Sequence, residues 1–66
     1  NMETQTHSLT TSLRDARQAM EHLRDLNLNF TNDGSDCFVF ETEEELEDAL
    51  QELEFFQLEV LESTQL

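Results

Sequence analysis

The sequence predicts an α+β domain with the element order α-β-β-α-β, in which two helices cover one face of a three-stranded sheet. Three observations support this fold class. Apolar residues recur at intervals of three and four in two segments, as on one side of a helix. They alternate with polar residues in two other segments, and one short run between turn residues is apolar throughout. Each helical segment has a single apolar stripe, so both helices are expected on the same face of the sheet.

The first helix is predicted from Leu9 onward. Ser8 or Ser12 can provide its N-cap, and Ser12 with Asp15 has the spacing of a capping box. Asn27 is the expected end, because asparagine tolerates the left-handed conformation in which many helices terminate. The apolar stripe contains Leu9, Leu13, Ala16, Met20 and Leu23, with Ala19 and Leu26 at its margins.

A β-hairpin is predicted next. Residues 26–31 alternate between apolar and polar side chains and predict the first strand. Residues 32–36 are turn formers, and Gly34, the only glycine, is expected to adopt a positive φ angle there. The apolar run Cys37-Phe38-Val39-Phe40 predicts a second strand that is better buried than the first.

The second helix has the clearest local signature, because Thr42 and Glu45 have the spacing of a capping box. Residues 57–61 alternate again and predict a third strand. The crossover through the second helix is expected to be right-handed, which leaves the third strand parallel to the second. We expect the third strand to lie beside the first. The apolar stripe of the second helix consists of Leu46, Ala49, Leu50, Leu53 and Phe56.

Residues 9–62 are predicted to form one acidic domain without internal repeats, between a disordered tail at residues 1–8 and a frayed end at residues 63–66. Asn1, in front of Met2, is interpreted as a tag remnant. We identify neither a membrane-spanning run nor a signal peptide, and Cys37, the one cysteine, cannot form an intramolecular disulfide. These features favour a cytoplasmic protein.

Acidic residues are concentrated in the second half of the chain. The sequence has 16 acidic and 3 basic residues, a formal net charge of -13. Residues 1–32 contain four acidic residues and all three arginines, whereas residues 33–66 contain twelve acidic residues and neither lysine nor arginine. A net charge of about 2–8 is enough to keep a small domain soluble, and a larger one destabilises the fold by self-repulsion. We therefore expect a function for the excess charge.

No arrangement typical of catalysis is found, so the protein is predicted not to be an enzyme. His7, His22 and Cys37 lie on three different segments, and His22 is expected to face solvent. An EF-hand alignment with Gly34 at the sixth position would place Phe40 where calcium binding needs a carboxylate. One glycine cannot form a phosphate-binding loop, and nucleic acid itself would need a basic patch. We expect no metal, cofactor, membrane or direct nucleic-acid contact.

The acidic residues of the second helix form rows beside its apolar stripe. Neighbours at i, i+4 are about 5–6 Å apart, close to the spacing of adjacent phosphates along a nucleic-acid strand. Their repulsion destabilises a helix by roughly 0.2–0.5 kcal/mol per pair. The rows predict a surface that binds a cationic groove, and an ordinary solvated helix face is the alternative. The predicted partner-binding residues are Glu43, Glu44, Glu47, Asp48, Glu52, Glu54 and Phe55, with a secondary acidic surface at Glu41, Glu59 and Glu62.

The sequence also predicts where the side chains of Phe55, Arg17 and Arg24 lie relative to these rows. Phe55 projects from the acidic side as an aromatic anchor if the helix continues that far. If the helix ends near Phe55, the ring turns into the core, and this second position is favoured. Arg17 and Arg24 flank the first apolar stripe, and they are expected to lie along the core and neutralise carboxylates of the second helix or the sheet.

In size, element order and the acidic segment Glu41-Thr42-Glu43-Glu44-Glu45-Leu46-Glu47-Asp48, residues 9–62 resemble the small acidic anti-CRISPR proteins of phages, most of all the type I-C inhibitors. This resemblance implies a DNA mimic that blocks the surface where the crRNA-guided surveillance complex, Cascade, binds target or PAM duplex. The implied partner is a basic, nucleic-acid-binding subunit of such a CRISPR-Cas complex in the cytoplasm of a bacterial host cell.

A structural or antitoxin-like interaction subunit is the alternative function. Such a protein would bury an apolar surface against a partner or a second copy. The exposed face of the predicted sheet, with Asn29, Cys37, Val39 and Leu61, is the candidate surface. Either a monomer or a homodimer is compatible with the sequence.

Overall fold

The computed structural model describes residues 7–64, which form an α+β fold with the order β-α-β-β-α-β. The strands make one antiparallel sheet in the order β2-β3-β1-β4. This is the topology of the split β-α-β, or ferredoxin-like, architecture. The elements are β1 (His7–Thr11), α1 (Ala16–Asp25), β2 (Phe30–Asp33), β3 (Cys37–Phe40), α2 (Glu43–Phe55) and β4 (Val60–Ser63).

The fourth strand, absent from the prediction, is β1. His7 and Ser8 belong to it rather than to a tail, and the first helix begins at Ala16 rather than at Leu9. Leu9 and Thr11 are buried, and the Thr11 hydroxyl donates a hydrogen bond to the next backbone carbonyl at 3.0 Å. A polar residue therefore fills a core position, which hid the alternation of this strand. Residues 1–6 and 65–66 of the two predicted ends lie outside the described residues.

β1 runs through the middle of the sheet, with Leu9 opposite Phe38 of β3 on one side and Ser63 of β4 on the other. The predicted hairpin of β2 and β3 is confirmed, and Gly34 in its turn has a φ angle of 75°. The expectation that the last strand lies beside the first predicted strand is wrong, because β4 pairs with β1 and β2 lies at the far edge. Its predicted direction is correct, since β3 and β4 are both antiparallel to β1.

Both helices pack against the same face of the sheet, as predicted. Ala19 of α1 and Ala49 of α2 are fully buried and belong to one cluster with the apolar residues of β1 and β3. Leu13, expected in the first apolar stripe, is 71% exposed because it lies in the turn before α1. The buried cluster consists of Leu9, Ala19, Leu23, Phe38, Phe40, Leu46, Ala49 and Leu53.

Each helix ends at a residue with a left-handed backbone. Asn27 has a φ angle of 60°, which confirms the predicted end of α1, and Gln57 has the same angle after α2. The Gln57 N–H donates to the Glu54 carbonyl at 3.0 Å and the Leu58 N–H to the Leu53 carbonyl at 2.9 Å, the two bonds of a Schellman motif. Because the helices end in this way, the edge strands begin later than predicted. β2 begins at Phe30 instead of residue 26, and β4 begins at Val60 instead of residue 57.

The domain is a structural repeat, contrary to the expectation that it has none. The buried residues of β1, Leu9 and Thr11, lie twenty-nine residues before those of β3, Phe38 and Phe40. Phe30–Asp33 and Val60–Ser63 begin thirty residues apart. The left-handed residues Asn27 and Gln57 have the same separation. Residues 7–33 and 37–63 are therefore two β-α-β units of one design, which we call the first and second halves. The similarity is in backbone and burial more than in residue identity, which is why it is hard to recognise in the sequence.

Candidate functional site

α2 begins at the capping box that the sequence predicts. Thr42 Oγ1 accepts a hydrogen bond from the Glu45 N–H at 3.1 Å, and the Thr42 hydroxyl donates to Glu45 Oε1 at 3.3 Å. Glu43, Glu44 and Glu45 form the first turn, where the helix dipole favours negative charge. This effect fades within one turn, so it does not account for the carboxylates further along α2.

In that turn and beyond it, α2 presents carboxylates to solvent along its outer side. Most of the predicted partner-binding acidic residues are exposed, and the segment from residue 33 to residue 66 contains no lysine or arginine. Glu43 and Glu47 also take part in interactions of their own. The exposed residues, which we call the acidic surface, are Glu43, Glu44, Glu47, Asp48 and Glu54.

The first half carries basic residues where the second half carries acidic ones. Arg17 and Arg24 lie on α1 in positions equivalent to Glu47 and Glu54 of α2, and all four side chains are exposed. Arg14, in the turn before α1, lies thirty residues before Glu44 in the same way. The same backbone therefore accepts either sign of charge at these positions.

Glu52 differs from the other predicted binding residues, because it lies at the seam between the helices. Its Oε2 is 3.5 Å from His22 Nδ1, and the Glu52 side chain is 21% exposed. The His22 ring stacks on Phe56 with ring centroids 4.0 Å apart. The prediction that His22 faces solvent is thus wrong. The reason is that Phe56, at the C-cap of α2, is 45% exposed and covers the imidazole instead of entering the core.

Phe55 is an exposed aromatic residue at the end of α2. The helix extends through Phe55 and the residue is 78% exposed, so the favoured prediction that its ring enters the core is wrong. The burial positions of the last turn are taken by Leu53 and by the connecting residue Leu58, which leaves Phe55 on the outer side. Its ring meets Phe56 edge-on, with centroids 5.0 Å apart.

A groove lies beside Phe55, between α2 and the segment that follows α1. Leu26, the C-cap of α1, is 38% exposed there, and Leu28 is half-buried. The prediction missed this groove because Leu26 and Leu28 were assigned to a strand. The available signal in the sequence was Asn27 between them, because asparagine tolerates the left-handed conformation that ends a helix and would interrupt a strand. The residues that line this Phe55 groove are Leu26, Leu28, Asp48, Gln51, Glu52 and Phe55.

The predicted secondary acidic surface is not continuous with α2. Glu62 pairs with Thr10, whose side chain lies on the sheet face that the helices do not cover. Glu59 Oε1 lies 3.8 Å from Arg14 Nη2 at the start of β4. Glu41 is exposed directly after β3. These three carboxylates add to the negative field of the molecule, but Glu62 faces a different direction from the acidic surface.

Within residues 7–64, the arginine that contacts carboxylates is Arg14, rather than Arg17 or Arg24 as predicted. Arg14 Nε lies 3.3 Å from Asp15 Oδ1. The predicted neutralisation by α1 is wrong because the arginines of α1 point to solvent, whereas Arg14 stands in the turn next to β4.

Asp15 is a buried residue whose role the sequence predicted only in part. The Asp15 N–H donates to Ser12 Oγ at 3.2 Å, one arm of the predicted capping box, although Asp15 itself is the N-cap of α1. Its Oδ2 accepts a hydrogen bond from the Glu59 N–H at 2.9 Å. That bond, and to a smaller degree Arg14, lowers the pKa of Asp15 despite the opposing effect of burial. Asp15 thus connects the first half of the domain to the second.

The groups considered for catalysis are spread over the fold. Cys37 lies on the open face of the sheet, whereas His22 lies between the helices on the covered face. Within residues 7–64, no three histidine, cysteine, aspartate or glutamate side chains are grouped so that they could hold a metal ion.

In the described part of the chain, neither helix has the length and apolar character needed to cross a membrane.

No protein-family model, curated protein or solved structure matches this chain.

Proposed function

We propose that this protein is a non-catalytic inhibitor that binds through the acidic surface of α2 to a cationic, nucleic-acid-binding site on another protein. In this function, the carboxylates take the place of DNA phosphates. The long-range negative field accelerates encounter with a basic surface, and complementary charge selects the partner.

The observation that carries this proposal is the exchange of arginine for glutamate between two helices with the same environment. Arg17 and Arg24 show that the fold tolerates basic residues at these positions, so the glutamates of α2 are not required by the backbone. Acidic neighbours such as Glu44 and Asp48 repel each other at a cost of roughly 0.2–0.5 kcal/mol per pair. A feature that lowers stability in so small a domain is best explained by binding.

The proposed target is a CRISPR-Cas surveillance complex in a bacterial host cell. This choice depends on the resemblance to the acidic anti-CRISPR proteins in size and in the acidic segment 41–48. The Lys and Arg side chains that such a complex directs at duplex DNA are groups that carboxylates at similar spacing can occupy.

The test is a competition experiment with a purified type I-C surveillance complex and labelled target duplex. We expect the protein to reduce duplex binding, and the double variant Glu44→Lys with Asp48→Lys to lose this effect while remaining folded. The matched control is Asp33→Lys with Glu62→Lys. It changes the net charge by the same amount, but on the strands β2 and β4 instead of on α2. The control should retain inhibition at low salt.

Full inhibition by the Glu44→Lys, Asp48→Lys variant would contradict the acidic surface as the binding site. Equal loss in the control variant would show that net charge alone acts. If the unmodified protein leaves duplex binding unchanged, this complex is not the target.

An interaction subunit is the second candidate, and the open face of the sheet favours it. Leu61, at the irregular pairing of β4 with β1, is 55% exposed, and Cys37 and Val39 are half-buried on that face. Asn29 was expected there but lies in the connection before β2. Sedimentation equilibrium distinguishes this candidate: a dimer that Leu61→Asp dissociates supports it, and a monomer at all concentrations does not.

A further inference from the structure

We propose that the Phe55 groove receives an arginine side chain of the partner protein, which adds a directional contact to the diffuse attraction of the acidic surface. This inference rests on the proposed function for one point only, that the partner is a basic protein.

The groove combines apolar and acidic walls. Leu26 and Phe55 are 38% and 78% exposed, and Leu28 forms a half-buried apolar part of the lining. Asp48 and Glu52 line the same groove, and none of the lining residues that the structure describes is basic. A purely apolar occupant would bury the Asp48 carboxylate without a counter-charge, which is costly. An anionic occupant would be repelled. The lining therefore selects a group that is apolar along its length and cationic at its end.

Arginine fits this description better than lysine. Its guanidinium is planar and weakly hydrated, so it can stack on the Phe55 ring while it donates hydrogen bonds to a carboxylate. Asp48 is exposed on the groove wall, whereas Glu52 is already close to His22. We assign Asp48 as the carboxylate that pairs with the guanidinium, and Leu26 and Leu28 as the surface along which the aliphatic stem lies.

A second copy of this chain is a less suitable occupant. Two molecules would each bring a net charge of -13 to the contact, and like charges oppose association. The complementary partner is instead a protein with an excess of Lys and Arg, which the proposed function also requires.

The experiment is a nuclear magnetic resonance titration of the isotope-labelled protein with two short synthetic peptides, one of alternating arginine and serine and one of alternating lysine and serine. We expect the arginine peptide to shift the backbone signals of Leu28, Gln51 and Phe55, and to bind more tightly than the lysine peptide. Phe55→Ala should weaken the arginine peptide roughly fivefold. Leu61→Ala, which removes an exposed apolar side chain on the sheet, is the control and should leave binding unchanged.

Equal binding of the two peptides, with no effect of Phe55→Ala, would overturn the groove while leaving the charge-based function intact. Absence of shifts at the groove would overturn it as well. Self-association that Phe55→Ala removes, measured by sedimentation, would replace the proposed partner by a second copy. Failure of the proposed function appears separately, as unchanged inhibition by the Glu44→Lys, Asp48→Lys variant.

Discussion

Residues 7–33 and residues 37–63 are each a β-α-β unit, and they differ most in what their helices expose. α1 presents Arg17 and Arg24 together with acidic residues, whereas α2 presents only acidic residues among its charged side chains. The buried positions hardly differ, since Ala19 and Leu23 of α1 correspond to Ala49 and Leu53 of α2. The comparison separates the residues that maintain the fold from those that are free to serve binding.

A second difference concerns the turn that leads into α1 and the capping box at the start of α2. Ser12 and Thr42 accept the N–H groups of Asp15 and Glu45 in equivalent positions. The Glu45 carboxylate returns to its own cap, whereas the Asp15 carboxylate reaches Glu59 in the other half. The Glu45 carboxylate thus stabilises only the start of α2, whereas the Asp15 carboxylate connects the start of α1 to the second half.

The largest expected effect tests whether the halves contribute equally to the core. Leu23→Ala and Leu53→Ala remove equivalent side chains that are fully buried. Each is expected to lower the free energy of unfolding by about 2–5 kcal/mol, measured by urea denaturation. The control is Leu13→Ala, at a 71% exposed position, with an expected change below about 0.5 kcal/mol. A mild effect of only one of the two core variants would show that the halves are not equivalent in packing.

The next effect tests the difference between Asp15, before α1, and Glu45, in the capping box of α2. We expect Asp15→Asn to lower the melting temperature more than Glu45→Gln, because the Asp15 carboxylate, unlike that of Glu45, accepts a hydrogen bond from the other half of the domain. The folded pKa of Asp15 is lowered from its ordinary value of 3.8. Its contribution to stability is therefore present above pH 3.8 and is lost as the pH falls through the lower folded pKa.

Thermal unfolding across this pH range provides the measurement. The difference between the unmodified protein and Asp15→Asn should be largest near neutral pH and should vanish in strong acid. A difference that stays constant with pH would mean that the charge of Asp15 does not contribute.

The smallest effect exchanges charge between equivalent positions. Glu54→Arg places a cation in the last turn of α2, which has no basic residue there, and Arg24→Glu removes one from the last turn of α1. Through the helix dipole, we expect the first change to stabilise and the second to destabilise the protein by roughly 0.3–1 kcal/mol. Urea denaturation measures both, and changes of the same sign would contradict this account.

The acidic pattern, the start of α2 and the end of α1 were predictable from the sequence because they depend on neighbouring residues. Thr42 and Glu45 interact within one turn, and Asn27 ends α1 through its own backbone preference. The exposed carboxylates of α2 followed from helical periodicity alone. The halves as a repeat were not recognised, because equivalent positions share burial and backbone angle while their residues differ in charge.

The sequence by itself determined the second helix, the hairpin of β2 and β3, the concentration of charge in the second half and the end of the first helix. The tertiary structure decided that residues 7–11 are a central strand, that β4 pairs with them, and that Phe55 and Leu26 border a groove. The physical reason is the range of the interactions. Caps and turns are stabilised within a few residues, whereas β1 is held by strands far away in the chain, and the exposure of Phe55 depends on which other side chains occupy the core.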